Sequence, residues 1–258
     1  MSTQATLHKI AAASLALAGL AAVLPGVCLA QSSGPEWYRV TTYHVKPEMV
    51  PDWESLIKNE IIPAYKKAGI PFLAIWETAS FGEANEYVAV LPVKFADLDG
   101  PNPLSKGLAP DALANLVARA RKCLADSRSA AIVNHPELSI VGEMKEPPAM
   151  AIVTTVHVAA GRGADFQNLL KNDIVPAYKK AGVQQYWVYE NGFGGDPNEW
   201  TTLLLYKKYA DLETGVPLAK AMGQEGYDKF LAKTAGVITS VNRTLSHYRL
   251  DLSVGGGN

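Results

Sequence analysis

Two histidines at matching places in the chain are the first residues whose type could do chemistry. His44 closes the segment YRVTTYHV, and His157 closes IVTTVHV. An imidazole with an unperturbed pKa of about 6.5 trades a proton near neutrality, so either ring could act as a general base or ligate haem iron or another metal. The alternative is a hydrogen-bonded histidine with a packing role. No second His or Cys stands at ligand spacing nearby, so no metal site is expected and no cofactor is assigned. Carboxylates recur in the same paired way, as Glu77 with Glu190 and Glu86 with Glu199. Each could pair with a histidine or bind a substrate hydroxyl, or could be a solvated charge or a salt bridge to lysine. Aromatic residues share these segments: Phe72, Trp76, Tyr87, Tyr186, Trp187, Tyr189 and Trp200. Strand alternation puts Phe72 and Trp76 on one face, and Trp187 and Tyr189 on one face. If that face is interior, it suits a planar or apolar ligand. If it meets helices, it is ordinary core.

These pairs share one origin. KNEIIPAYKKAG at Lys58 to Gly69 returns as KNDIVPAYKKAG at Lys171 to Gly182, identical at ten of twelve positions. The offset of 113 residues holds from Thr41/Thr154 through Glu86/Glu199, and resumes after a one-residue slip at KFADL and KYADL. A unit of this length is domain-sized, too long for a solenoid repeat. The chain reads as a tandem duplication, with repeat one over 36–146 and repeat two over 147–254.

Each unit opens with a Val/Thr/Tyr strand (Tyr38 to Val45; Ile152 to Val158). An amphipathic helix follows, its apolar stripe being Trp53, Leu56, Ile57, Ile61, Ala64, Tyr65 and Ala68, or Phe166, Leu169, Leu170, Ile174, Ala177, Tyr178 and Ala181. Gly69 and Gly182 suit the C′ position. Pro63 and Pro176 fall inside the stripe and should kink the helix. Two strands joined by a glycine-bearing hairpin come next, FLAIWET with NEYVAVLPV and QYWVYEN with NEWTTLLLY. A second helix is expected over Ala112 to Ser127 and over Tyr227 to Val241. A last strand is expected near Leu138 to Val141 and Tyr248 to Leu252. The plan is α+β, two ferredoxin-like β-α-β-β-α-β repeats.

Apolar residues make up 48% of the 258 residues, and the formal net charge is −1. That balance fits a domain with a real core and argues against a nucleic-acid partner. Residues 1–30 read as a secretory signal peptide: Lys9, a short apolar run from Ile10 to Leu24, and small residues before Gln31. The run is shorter than the ~20 residues of a spanning helix, so no membrane span is expected in a mature chain beginning near Gln31, and a periplasmic or secreted location is. Cys123, in a helical context, reads as core.

The strand ending in HVKP, the helix carrying IIPAYKKAGI, and the WE and NEY/NEW strands resemble the dimeric α+β barrel superfamily, in particular its NIPSNAP-like and antibiotic-biosynthesis-monooxygenase-like domains. The resemblance implies that the two repeats close sheet against sheet into one pseudo-dimeric barrel. The superfamily holds small oxygenases, haem enzymes, isomerases and proteins without known activity, so the likeness fixes no reaction. On this plan the histidines face the barrel interior or its mouth. The expected site has His157 and His44 as catalytic residues, and Tyr189, Glu190, Trp187, Trp76 and Glu77 as ligand-binding residues. It should be asymmetric, built around His157, Tyr189 and Glu190 with repeat one as scaffold. The function expected is binding of a small apolar or aromatic ligand, extending to a cofactor-independent oxygenase. The competing class is a non-catalytic accessory protein of a cell-envelope complex, with a homo-oligomer or an envelope partner.

Overall fold

The computed structural model describes residues 35–144, 146–213, 215 and 217–255. The leader expected over 1–30 lies outside the described residues. The first half runs β1 (Trp37–Val45), α1 (Val50–Leu56), α2 (Ile62–Lys67), β2 (Ala74–Thr78), β3 (Glu86–Pro92), α3 (Pro110–Cys123) and β4 (Leu124–Asn134). A two-residue strand, β5 (Ile140–Val141), lies in the link. The second half runs β6 (Met150–Val158), α4 (Gly163–Leu169), α5 (Val175–Lys180), β7 (Gln185–Phe193), β8 (Glu199–Tyr206), α6 (Pro217–Met222), α7 (Gln224–Thr234) and β9 (Ile238–Tyr248).

The strands pair in the order β4-β1-β3-β2-β9-β6-β8-β7, and β4 pairs again with β7. All of these pairings are antiparallel, so eight strands close into a barrel. The two seams between halves are β2–β9 and β4–β7. Closure leaves none of the eight strands with an unpaired edge.

Helices cover the outside of the barrel. One core cluster packs Trp53, Leu56, Ile57, Ile62 and Leu116 against Ile75, Tyr87 and Ala89, and the other packs Phe166, Leu169, Leu170, Ile174, Val175 and Phe230 against Tyr186, Val188 and Trp200. A third cluster lies inside the barrel and draws on both halves: Ala74, Trp76 and Ala151, with Val88, Val153, Leu203 and Tyr248 packed on them. Cys123 is buried in the first cluster, as its helical context predicts.

A widened turn accommodates each proline. One π turn, Ile57–Ile61 or Leu170–Ile174, precedes each of them, and the N–H of Ile62 or Val175 reaches the carbonyl of Ile57 or Leu170, five residues back. The wider turn suits the missing N–H of Pro63 and Pro176. It also rotates the stripe, so that Ile62 and Val175 join the buried face. Gly69 and Gly182 end these helices at φ 73° and 78°, with Ile70 and Val183 donating to Tyr65 and Tyr178.

The last strand of each half departs from expectation. It is β4 or β9, immediately after the helix, whereas Leu138–Val141 holds only β5 and Leu250–Leu252 forms a 3-10 turn. The helices end correspondingly early, at Cys123 and Thr234. For β4 the cause is composition, since Ala, Asp and Asn, all depleted in strands, fill five of the eleven positions of LADSRSAAIVN; ITSVNRTLSHY carries Ile, Val, Thr and Tyr, and its strand character was there to be read.

Candidate functional site

Strand alternation sets what faces the barrel lumen. Val40 and Thr42 of β1 and Val153 and Thr155 of β6 point inward, and so do Phe72, Trp76, Trp187 and Tyr189. From β4 and β9 come Arg128, Ala130 and Ile132, and Asn242, Thr244 and Ser246. Ala130, Asn242, Thr244 and Ser246 among these are small enough to leave the lumen open, and a cavity of about 1020 Å³ remains. That is the upper range for a small-molecule site.

Both histidines lie at one end of this cavity. Four antiparallel steps separate β1 from β6, so the two strands run the same way and end together. In each, the register to the neighbouring last strand shifts directly after the histidine, at His44/Val45 and His157/Val158. Neither histidine lines the cavity; each is held at the rim by carboxylates. His44 has Nδ1 2.7 Å from Asp126, and Nε2 2.9 Å from Glu83 and 3.3 Å from Glu86. The bond to Asp126, then Glu86 and Glu83, raises its pKa above the ordinary value. His44 therefore holds its proton more tightly than a free imidazole, which favours an acid or ion-pair role over that of a base. His157 is looser, 3.5 Å from Asp196 and 3.8 Å from Glu199. The difference follows from register, because His44 stands opposite Asp126 while His157 stands opposite Ser240. Glu86 and Glu199 do reach the lumen, with Glu86 also accepting from the Thr78 hydroxyl at 2.7 Å.

Ligand atoms of His44, Glu83 and Glu86 lie within 4.8 Å of one another, close enough to share a metal ion. A search for His and Cys spacing could not find this group, because two of its members are glutamates brought in by the β2–β3 hairpin. The geometry is equally that of an imidazolium held by acids.

Glu77 and Glu190 are corrected. Both turn away from the cavity, since Trp76 and Tyr189 beside them turn in. Glu77 lies 2.7 Å from Arg249, and Glu190 lies 3.0 Å from His135. The expected asymmetry is corrected as well. Tyr189 and Trp187 line the cavity, but so do Tyr38, Phe72 and Trp76, and repeat one is wall as much as scaffold.

At the end of the lumen away from the histidines, Tyr38 donates to Glu36 at 2.8 Å, and the rings of Tyr38 and Tyr189 meet edge-on at 5.9 Å. Burial pushes the Tyr189 hydroxyl pKa up; burial and the Glu36 bond do the same for Tyr38, so both stay protonated donors. Trp187 uses its N–H on Gln185 at 3.1 Å and offers the cavity a ring. Sequence reading missed Glu36, Tyr38 and Tyr248. Alternation through Val40 and Thr42 carries the signal for Tyr38, whereas Tyr248 ends a strand that was misplaced.

No family model matches the chain, and no curated protein sequence matches it. Solved structures do. A candidate monooxygenase from Fusobacterium nucleatum superposes with a TM-score of 0.56 at 13% identity, over 87% of this chain and 95% of that one. An anthrone oxidase-like protein gives 0.54 at 8% identity, over 83% and 91%. A chlorite dismutase variant from Candidatus Nitrospira defluvii gives 0.54 at 12%, over 83% and 92%. The chain has the dimeric α+β barrel fold. Identities this low establish the fold alone, and the fold by itself names no function. Among the described residues no helix is long and apolar enough to cross a membrane.

Proposed function

We propose that this protein binds a small, largely apolar or aromatic ligand inside its barrel, and that its enzymatic form is a cofactor-independent oxygenase. The observation that carries the reading is the open lumen of about 1020 Å³, walled by Trp76, Trp187, Tyr38, Tyr189 and Tyr248. A barrel with a purely structural role would fill that space with its own side chains. The candidate monooxygenase and anthrone oxidase-like neighbours are compatible with this reading. Within it, the rim pairs Glu86–His44 and Glu199–His157 are the groups able to move a proton at the mouth.

The two halves are proposed to be ferredoxin-like repeats, over 36–146 and 147–254, that arose by duplication of an NIPSNAP-like or antibiotic-biosynthesis-monooxygenase-like domain. The mature chain is proposed to begin near Gln31 and to act in the periplasm or outside the cell, which N-terminal sequencing of exported material tests.

The binding test is a calorimetric titration with a panel of naphthols, hydroxyanthracenes and quinones. Saturable one-to-one binding is expected from at least one member, and turnover under air would separate an oxygenase from a carrier. Failure of every member would return the barrel to an accessory role.

A further inference from the structure

The charges on the lumen wall are unbalanced. Among the described residues Glu36, Glu86, Asp196 and Glu199 line it, against one cation, Arg128. The three carboxylates at the histidine end have partners. Glu86 has Thr78 and His44, Asp196 accepts from Asn198, and Glu199 faces His157. Glu36 differs. Among the described residues its carboxylate makes no ion pair, and its one side-chain partner is the neutral Tyr38 hydroxyl. Arg128 stands opposite Thr42 on β1, four residues along the strand from Tyr38, and does not reach it.

Around Glu36 the wall is aromatic. Tyr38 and Tyr189 meet at 5.9 Å, Trp187 and Phe72 line the same cavity, and further along the wall, level with Thr42, Tyr248 packs on Trp76 at 5.1 Å. The Tyr189 hydroxyl has no hydrogen-bond partner among the described residues. A carboxylate without a cation, set among aromatic faces at the end of an apolar cavity, is the chemistry that recognises an organic ammonium: Coulomb attraction and a charge-assisted hydrogen bond from the acid, cation–π attraction from the rings. The set also occurs once. At the 113-residue offset Glu36 and Tyr38 become Ala149 and Ala151, so the pseudo-symmetric barrel carries this group on one side only. A single polar anchor fixes one orientation for one ligand.

Building on the lumen as a ligand site, we propose that the ligand is an amine, with a protonated nitrogen seated on Glu36 between Tyr38 and Tyr189 and an aromatic or apolar body extending past Trp187 and Trp76.

The test uses three probes that share a ring and differ in charge: 1-naphthylmethylamine, 1-naphthylmethanol and 1-naphthoate, titrated calorimetrically into the purified protein at neutral pH. The ammonium should bind about tenfold or more tighter than the alcohol, and the carboxylate weakest. Glu36→Gln should remove that preference by weakening the ammonium far more than the alcohol, and thermal unfolding of the variant reports separately that it is folded. Alcohol binding as tight as ammonium binding, or a preference that survives Glu36→Gln, overturns the amine assignment and leaves the lumen as a ligand site. No binding by any of the three overturns both.

Discussion

Glu77 and Glu190, 113 residues apart, each carry a side-chain contact that ties one half of the barrel to the end of the last strand of the other. Glu77 lies 2.7 Å from Arg249, which follows β9 and also bonds Glu54 at 2.5 Å and Asp251 at 3.0 Å. Glu190 lies 3.0 Å from His135, which follows β4 and bonds Glu137 at 2.9 Å. Arginine with acids at one seam is histidine with acids at the other. These residues close the barrel, and the binding role expected for the two glutamates gives way to that one.

The β2–β9 seam is short, with three residue pairs, and leans on Arg249. The Arg249 side chain is only 20% exposed, and removing it strands Glu54 and Glu77 without their cation. Arg249→Gln is therefore expected to destabilise the fold by about 2–4 kcal/mol, against about 1 kcal/mol for Glu137→Gln at the exposed edge of the other seam. Urea denaturation measures both, and equal small losses would show that the seam holds without the arginine.

The same cluster sets an acid limit. The bond from Arg249 holds the carboxyls of Glu54 and Asp251 below their ordinary pKa values. A depressed folded pKa contributes stability above the unfolded values, about 4.3 and 3.9, and loses it as pH falls through the folded ones. Thermal stability should be level from about pH 6 to 5 and decline below about pH 4.5, and the decline should be shallower in Arg249→Gln. Parallel curves for the two proteins would remove the cluster from the acid limit.

Much of this was legible in the sequence, and the parts that were not share a cause. The repeat, the first strand, the first helix and the middle hairpin follow from alternation and from the buried stripe at Trp53 or Phe166. Alternation also groups Phe72 with Trp76 and Trp187 with Tyr189, but does not say which way those faces point. What hid was whatever serves the open lumen. β4 carries Ala, Asp and Ser where a packed sheet would carry Val or Ile, so its propensity pointed elsewhere. Glu36 and Asp126 join the site through strand pairing across about a hundred residues, which no local pattern records. Glu83 and Asp196 share the 113-residue offset and were visible by alignment of the repeats, but nothing in either hairpin said that they meet a histidine.

Trp200 and Trp187 lie on paired strands and face opposite ways. Trp200 is 1% exposed and packs on Phe166 at 5.4 Å and His135 at 4.9 Å, outside the lumen. Trp187 borders the cavity. Trp200→Ala is expected to cost about 3–5 kcal/mol, and Trp187→Ala about 1–2 kcal/mol, because Trp187 already has open space on one side. Ligand affinity should follow the reverse order, measured on whichever variants stay folded. An equal stability cost for the two would mean that the lumen is filled in solution.

His44 should titrate late. Asp126, Glu86 and Glu83 favour its charged form, so its folded pKa lies above the unfolded value of about 6.5. The stability it contributes is complete below that pH and is lost as pH rises through the folded pKa. NMR of the ring Cε1–H should place the midpoint above 6.5, and Asp126→Asn should lower it. A midpoint at or below 6.5 would show that the acids do not hold the ring in solution.

The open lumen makes a last demand on the sequence. Ala130 of β4 faces the cavity, and the space in front of it is what a ligand would occupy. A large side chain placed in a packed core strains its neighbours, but one placed in a cavity fills it. Ala130→Phe is therefore expected to change unfolding free energy by less than about 1 kcal/mol while abolishing binding of whichever aromatic probe the wild type takes up. Retained binding would move the ligand out of the barrel. A large loss of stability would mean that the strand around Ala130 packs tightly, and that the lumen is smaller than its walls indicate.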